Sequence, residues 1–390
     1  MSRESRNMQI TPIADVLAWS DNPRDELIAN YHATLADGLG RVLGRLQAKH
    51  PALGFPLAEL LKSLPDSAFE RLLMAPETSH RLLWPTRHAL DEVAAFLRNG
   101  ALTELARLGR LPHAVDTATW TALGDFCQRP DGSSYAAPVI RGLMVLDFQS
   151  PNARDLSRAA SAASEYGEES RYDYNVRVQL EQRLTAIMEG IETASRNAAQ
   201  FVTRFTNIVM FVKAGGPQGE HFLSRSPERH IGLTVLVNAH CPDVDDVELG
   251  EALVHEAIHS FVDTYETLAN FEDDPAGKWI RDAMLYDGTP RVISPWTGTR
   301  LVVPTYVHAC FVWYGIVQFW SQALDTRAFP ISRVLDRLRA AVRGFLFDDM
   351  LDQLVPYQRS FHPQLMTTLG TMRNDVVSAF NATFPAFLAS

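Results

Sequence analysis

DVELGEALVHEAIHSFVDTYETL, residues 246–268, reads as one amphipathic helix. Leu249, Leu253, Ile258, Val262 and Tyr265 recur at helical spacing and form an apolar stripe, which predicts a buried element. Asp245, Asp246 and Glu248 stand at its start, where carboxylates meet the positive end of the helix dipole. Within it His255 and His259 are four residues apart, so both imidazoles leave one face about a turn apart and can converge on one divalent ion. Glu256 lies about 100° around the helix from His255, beside the ligand face, where it can approach a water on that ion. The plain alternative is a pair of core histidines satisfied by neighbours; the spacing on a strong helix favours the metal.

Outward from this helix, the preceding runs NIVMFVK (207–213) and GLTVLVN (232–238) are short and β-branched, and Gly215, Gly216, Pro217 and Gly219 break the chain between them. Two strands are expected there. Before them Leu180, Leu184, Ile187, Ile191, Ala194, Ala198, Phe201 and Phe205 predict one long helix from about Val176 to Phe205. The aliphatic run from Tyr135 to Phe148 reads as a strand, and the polar stretch from Ser150 to Tyr174 as a linker. From Asp25 to Arg110 the pattern is repeatedly helical, with Pro51, Pro56, Pro65, Pro76 and Pro85 as breaks between short helices. Beyond the motif, Leu301 to Trp320 has no Lys, Arg, Asp or Glu. Its Pro304, His308 and Gln318 point to a buried core helix carrying a functional polar group rather than a membrane span. A closing helix is expected over Val334 to Phe347. The expected fold is α+β, predominantly α-helical, with a small sheet beside the HEXXH helix. The expected division is a helical region, 1–150, and a metal-binding catalytic domain, 151–390.

The chain has 390 residues, 46% hydrophobic and 21% charged, an ordinary globular composition. Its net charge of −10 opposes binding to nucleic acid phosphates or to anionic lipid. Cys127, Cys241 and Cys310 are far apart and odd in number, which argues against a disulfide framework. Met1 to Ile10 has no apolar core of the kind an export signal needs, so a cytoplasmic location is expected.

Two imidazoles do not complete a metal site. The metzincin extension would need Gly at 262 and His at 265, where this chain has Val262 and Tyr265. A thermolysin-like arrangement would take a later carboxylate, with Glu266, Glu272, Asp282 and Asp287 to choose from. Glu266 lies about 16 Å along a straight helix from His255, and Glu272 falls in an acidic run; both read as exposed acids. His308, a lone imidazole in the most apolar stretch, is the better third ligand, because a buried imidazole needs a partner.

The succession FLSRSPERHIGLTVLVN, LGEALVHEAIHSFVD and SPWTGTRLVVPTYVHACFVWYGIVQFW resembles the HEXXH-motif proteins of ribosomal peptide biosynthesis, members of which are 2-oxoglutarate-dependent peptide β-hydroxylases. The resemblance covers about residues 200–325. It implies Fe(II) bound by His255, His259 and His308, with Arg300 near the co-substrate, and a peptide or precursor-peptide substrate that a carrier or partner enzyme delivers. A distal carboxylate such as that of 2-oxoglutarate is naturally clamped by a bidentate Arg; Arg300, Arg229 and Arg225 are candidates, with Ser224 and Ser226 adding hydrogen bonds. The chain departs from the commonest form at Ala257, Ile258 and Ser260, and its first 150 residues match only loosely. Two rivals stand beside this reading. One is a zinc metallopeptidase with Glu256 as general base. The other is a scaffold with a structural zinc, which would need a fourth ligand; Cys310, two residues from His308 on a helix, would point to another side.

Overall fold

A computed structural model describes residues 11–20, 25–84, 87–110, 116–151, 153, 172–214, 221–227, 229–271, 278–286, 288 and 290–383. Helices dominate and the sheets are small, so the protein is α+β. The chain divides into two compact units. The first comprises Met1–Arg24, Ile187–Val202 and Gly250–Ser390; the second comprises Asp25–Ala186 and Thr203–Leu249. Helix α1 (Thr11–Leu17) belongs to the first.

The second unit begins with five helices: α2 (Asp25–Lys49), α3 (Pro51–Lys62), α4 (Asp66–Met74), α5 (Pro76–Leu83) and α6 (Leu90–Arg107). Proline sets their boundaries where its missing donor costs nothing: Pro51 and Pro76 open α3 and α5, and Pro65 precedes α4. Pro56 is the exception. It lies inside α3, where the helix forgoes one backbone bond near its start instead of ending. The run expected to be one strand folds as β3 (Ser134–Ala136), β4 (Val139–Ile140) and β5 (Met144–Asp147), because Arg141 and Gly142 both turn through positive φ. Strand β3 joins β1 (Thr119–Trp120) and β2 (Phe126–Gln128) in an antiparallel sheet.

The larger sheet has the order β4-β5-β6-β8-β7, with β6 Ile208–Val212, β7 Leu223–Arg225 and β8 Leu233–Val237. The pairs β5–β6 and β6–β8 run parallel, and β4 and β7 close the edges antiparallel. Every residue of β5, β6 and β8 is buried, as parallel strands covered on both faces require. Both strands expected before the motif are present. The expected linker Ser150–Tyr174 lies mostly outside the described residues.

The expected helix from Val176 to Phe205 is two, α7 (Tyr174–Ala194) and α8 (Arg196–Phe205). Ser195 separates them, accepting a hydrogen bond from the Ala198 amide at 3.3 Å as an N-cap does. After β8 comes α9 (Asp246–Phe271), three residues longer than its periodicity predicted. Its first turn is capped by Asp245, whose Oδ1 accepts from the Glu248 amide at 2.8 Å.

In the first unit a hairpin, β9 (Arg291–Ile293) and β10 (Arg300–Val302), leads into α10 (Val303–Thr326), followed by α11 (Ile331–Leu346) and α12 (Pro363–Thr383). The uncharged run therefore starts in β10 and continues as a core helix; among the described residues no helix is long and apolar enough to cross a membrane. Close approach of α9 and α10 depends on Gly315: a Cβ there would stand 2.6 Å from Ile258 Cδ1. The same turn is held by Trp19, which donates from Nε1 to the Gly315 carbonyl at 2.9 Å. Ile258, Phe261, Val262, Phe311 and Ile316 are fully buried around it, each contributing about 1.5–3 kcal/mol by leaving water.

Candidate metal centre

Within the first unit α9 is buried on nearly every side, yet it carries a line of ionisable side chains. Glu251, His255, His259 and Asp263 follow one another at four-residue steps, and Glu266 comes three later, so all five share one face. His255, His259, Asp263 and Glu266 are half-buried, and Glu251 is buried. A polar stripe on a helix otherwise lined by Leu253, Val254, Ala257 and Phe261 has to be matched by polar partners.

The histidine rings meet. The centroids of His255 and His259 are 5.0 Å apart, and that of His308, on the facing α10, is 6.1 Å from His259. His308 lies seven residues, about two turns, before Gly315 on α10. Its Nε2 lies 3.2 Å from Glu266 Oε2 and its Nδ1 lies 3.7 Å from Asp263 Oδ1. Asp263, Glu266 and His308 each present a ligand atom, all within 4.8 Å of one another.

These neighbours drive the two imidazoles apart in acidity. Burial works against a charged His308, but the charge and hydrogen bond of Glu266 and the charge of Asp263 outweigh it and hold its pKa at about 9. His259 goes the other way: burial, then the repulsion of His255 and His308, pushes it well below the usual imidazole range. The face thus combines a neutral imidazole, suited to ligate, with an imidazolium held by two carboxylates.

Supporting groups fix the stripe at its upstream end. One turn before His255, Glu251 accepts from Trp320 Nε1 at 2.7 Å and pairs with Arg337 at 3.0 Å. Burial raises the Glu251 pKa against the pull of Arg337. The edge of Trp313 meets His255 at 6.0 Å, and Trp296 stacks on Trp313 at 5.9 Å with the rings 11° from parallel. Trp296 sits in the turn of the β9–β10 hairpin, donates to the Ala341 carbonyl at 2.7 Å and lies over Gly344, where no Cβ would fit. The Pro295-Trp296 segment is thereby connected through Trp313 to the first motif histidine.

Of the residues predicted to make the site, His259 has a ring neighbour on each side, His255 and His308, while the ligand atoms that lie within 4.8 Å of one another on this face are those of Asp263, Glu266 and His308; Glu256 is buried beside His255 in sequence. Arg300 is exposed on β10, paired with Ile293. Ser224 and Arg225 stand on β7, and Arg229 has its guanidinium 5.2 Å over the Trp84 ring; these three belong to the other unit. Glu266 is not the exposed acid its sequence setting suggested, since its side chain is 14% accessible and paired with His308. Asp263 was not singled out at all. Counting from His259 instead of His255 would have found both, because positions four and seven residues later share its face. Glu272 and Asp287 lie outside the described residues, and Asp282 is exposed with its carboxylate on the Met284 amide. Cys310 is fully buried and its thiol pKa is raised by burial.

The donor set is nitrogen and oxygen without thiolate, the chemistry that suits iron or zinc. Compared with known proteins, the chain matches no family model and no curated relative.

Proposed function

We propose that the chain is a non-haem Fe(II), 2-oxoglutarate-dependent hydroxylase of a peptide or ribosomally made precursor peptide, with His255, His259 and His308 as metal ligands. The observation that carries this reading is the pair of ring contacts that His259 makes, with His255 on α9 and with His308 on the facing α10. Bound there, such an ion would supply open positions for 2-oxoglutarate and O2 and the oxidising power to hydroxylate a carbon–hydrogen bond. The chain's own residues do the rest. Glu266 and Asp263, one beside each ring nitrogen of His308, orient that imidazole, and Glu251 anchors the turn that carries His255. Trp313 walls one side and excludes water. Arg300 is the clamp we assign to the distal carboxylate; it belongs to the same unit as the three imidazoles. The buried cysteines, none of them in a disulfide, fit a reducing compartment, and we assign the protein to the cytoplasm, where a carrier or partner enzyme would present the peptide.

A second reading is favoured by one observation, the interior position of Glu256. His255 and His259 would hold zinc, with Glu256 as general base of a peptidase. An anaerobic titration of metal-stripped protein with Fe(II) and 2-oxoglutarate separates the two. A visible charge-transfer band that disappears in His308→Ala is the expected result. Absence of that band, with one equivalent of zinc lost in His255→Ala and peptide cleavage lost in Glu256→Gln, would overturn the hydroxylase in favour of the peptidase.

A further inference from the structure

The second unit holds a separate histidine cluster. Helix α5 places Glu77 and His80 on one face three residues apart, and His230 reaches them from the β7–β8 connection, 153 residues beyond Glu77. Two backbone bonds fix that arrival: the His230 amide donates to Pro227 at 3.0 Å, and the Leu233 amide donates to the His230 carbonyl at 3.0 Å. His88 comes from the segment after α5. The contacts are close: His230 Nε2 is 3.2 Å from Glu77 Oε2, His88 Nε2 is 3.1 Å from His80 Nδ1, and the His80 and His230 rings stack at 4.3 Å and 16°.

We propose that Glu77, His80 and His230 form a second site for a first-row divalent cation of the zinc class, independent of the α9 face. Each offers one ligand atom, and the three atoms lie within 4.8 Å of one another. Ligand atoms bonded to zinc at 2.0–2.1 Å stand about 3.3 Å apart in a tetrahedron, close to the separation already present between His230 and Glu77. The remaining polar atoms are engaged as outer partners of such a site would be. Arg81 takes Glu77 Oε1 at 2.7 Å and leaves Oε2 facing His230. His88 takes His80 Nδ1 and leaves Nε2. Arg81 NH1 also stands 3.5 Å from His88 Nδ1, so the site keeps one cation at its rim. Two stacked imidazoles beside one carboxylate cannot both gain a proton without repelling each other; a shared divalent ion satisfies both nitrogens and the carboxylate at once. The ion would tie the β7–β8 connection to α5, with a fourth position for water.

The test is stoichiometry on the full chain. Metal-stripped wild-type protein and His230→Gln are titrated with Zn2+ against a chromophoric chelator, and bound Co2+ is examined for the visible spectrum of a tetrahedral site. The variant is expected to bind one equivalent fewer than the wild type and to lose the tetrahedral Co2+ signal. Equal stoichiometry in the two proteins would overturn the proposal, whatever the α9 face binds. Should His230→Gln not fold, Glu77→Gln gives the same readout, with the same loss expected and the same equality fatal.

Discussion

Two histidine clusters in one chain show how the number of nearby carboxylates decides what an imidazole becomes. On α9 and α10, His308 stands between Glu266 and Asp263, and the two anions hold it protonated up to about 9. Around α5 the ratio is reversed. There three imidazoles share one carboxylate, already paired with Arg81, and burial followed by repulsion from His230 lowers His80 to about 4 despite the attraction of Glu77. Glu77 keeps its charge down to about 2, because burial, which alone would raise it, is outweighed by the His230 hydrogen bond and the Arg81 charge. One cluster stores a proton that a metal must displace; in the other, His80 is already deprotonated.

The largest expected effect breaks the first cluster. His255→Ala or His259→Ala should lower metal-dependent turnover by more than roughly 100-fold, beyond the 10–100-fold typical of losing an outer-shell partner, as a peptide-modification assay at saturating Fe(II) would record. Next is the spacing between the helices that carry the cluster. Gly315→Ala drives a methyl group toward Ile258 and should cost about 1–3 kcal/mol in denaturant unfolding.

The pH dependence sharpens the comparison, because the two clusters have opposite signs. In metal-stripped protein His308 has a folded pKa above its unfolded value. Its contribution, roughly 3 kcal/mol at most, is complete below about pH 6.5 and lost as pH rises through 9. His80 has a folded pKa below its unfolded value, so the unfolded chain binds the extra proton and stability falls as pH drops from about 6.5 toward 4. Urea midpoints across this range should show both limbs; His308→Asn should flatten the alkaline limb and His80→Asn the acid one. The smallest effect expected is at the hairpin. Trp296→Phe removes one hydrogen bond to Ala341, worth about 1 kcal/mol, and keeps the stack on Trp313, so thermal unfolding should shift by only a few degrees.

Much of this was legible in the residue order, for reasons that differ by element. The apolar stripe of α9 and the β-branched runs of β6 and β8 are long enough that periodicity alone finds them. The break at Ser195 was not found, because the apolar positions continue through it and only the capping bond of its hydroxyl marks the end. His255 and His259 were legible because both lie on one helix. His308 was found by its isolation among apolar neighbours, whereas Asp263 and Glu266 were obscured by measuring along the helix axis instead of around it. The meeting of Glu77, His80 and His230 had no local signal, since the described chain between them folds into seven strands and several helices before they touch.

The edges of the larger sheet have a consequence for the protein at high concentration. Its outermost strands, β4 and β7, are only two and three residues long, and β7 presents exposed Arg225 at its end. An open edge is a template on which another chain can add a strand, and length and apolar flatness set how well it templates. Edges this short, one of them charged, leave the buried strands β5, β6 and β8 with little through which to recruit a neighbour, so this sheet should resist growth into fibrils even when the molecules are crowded.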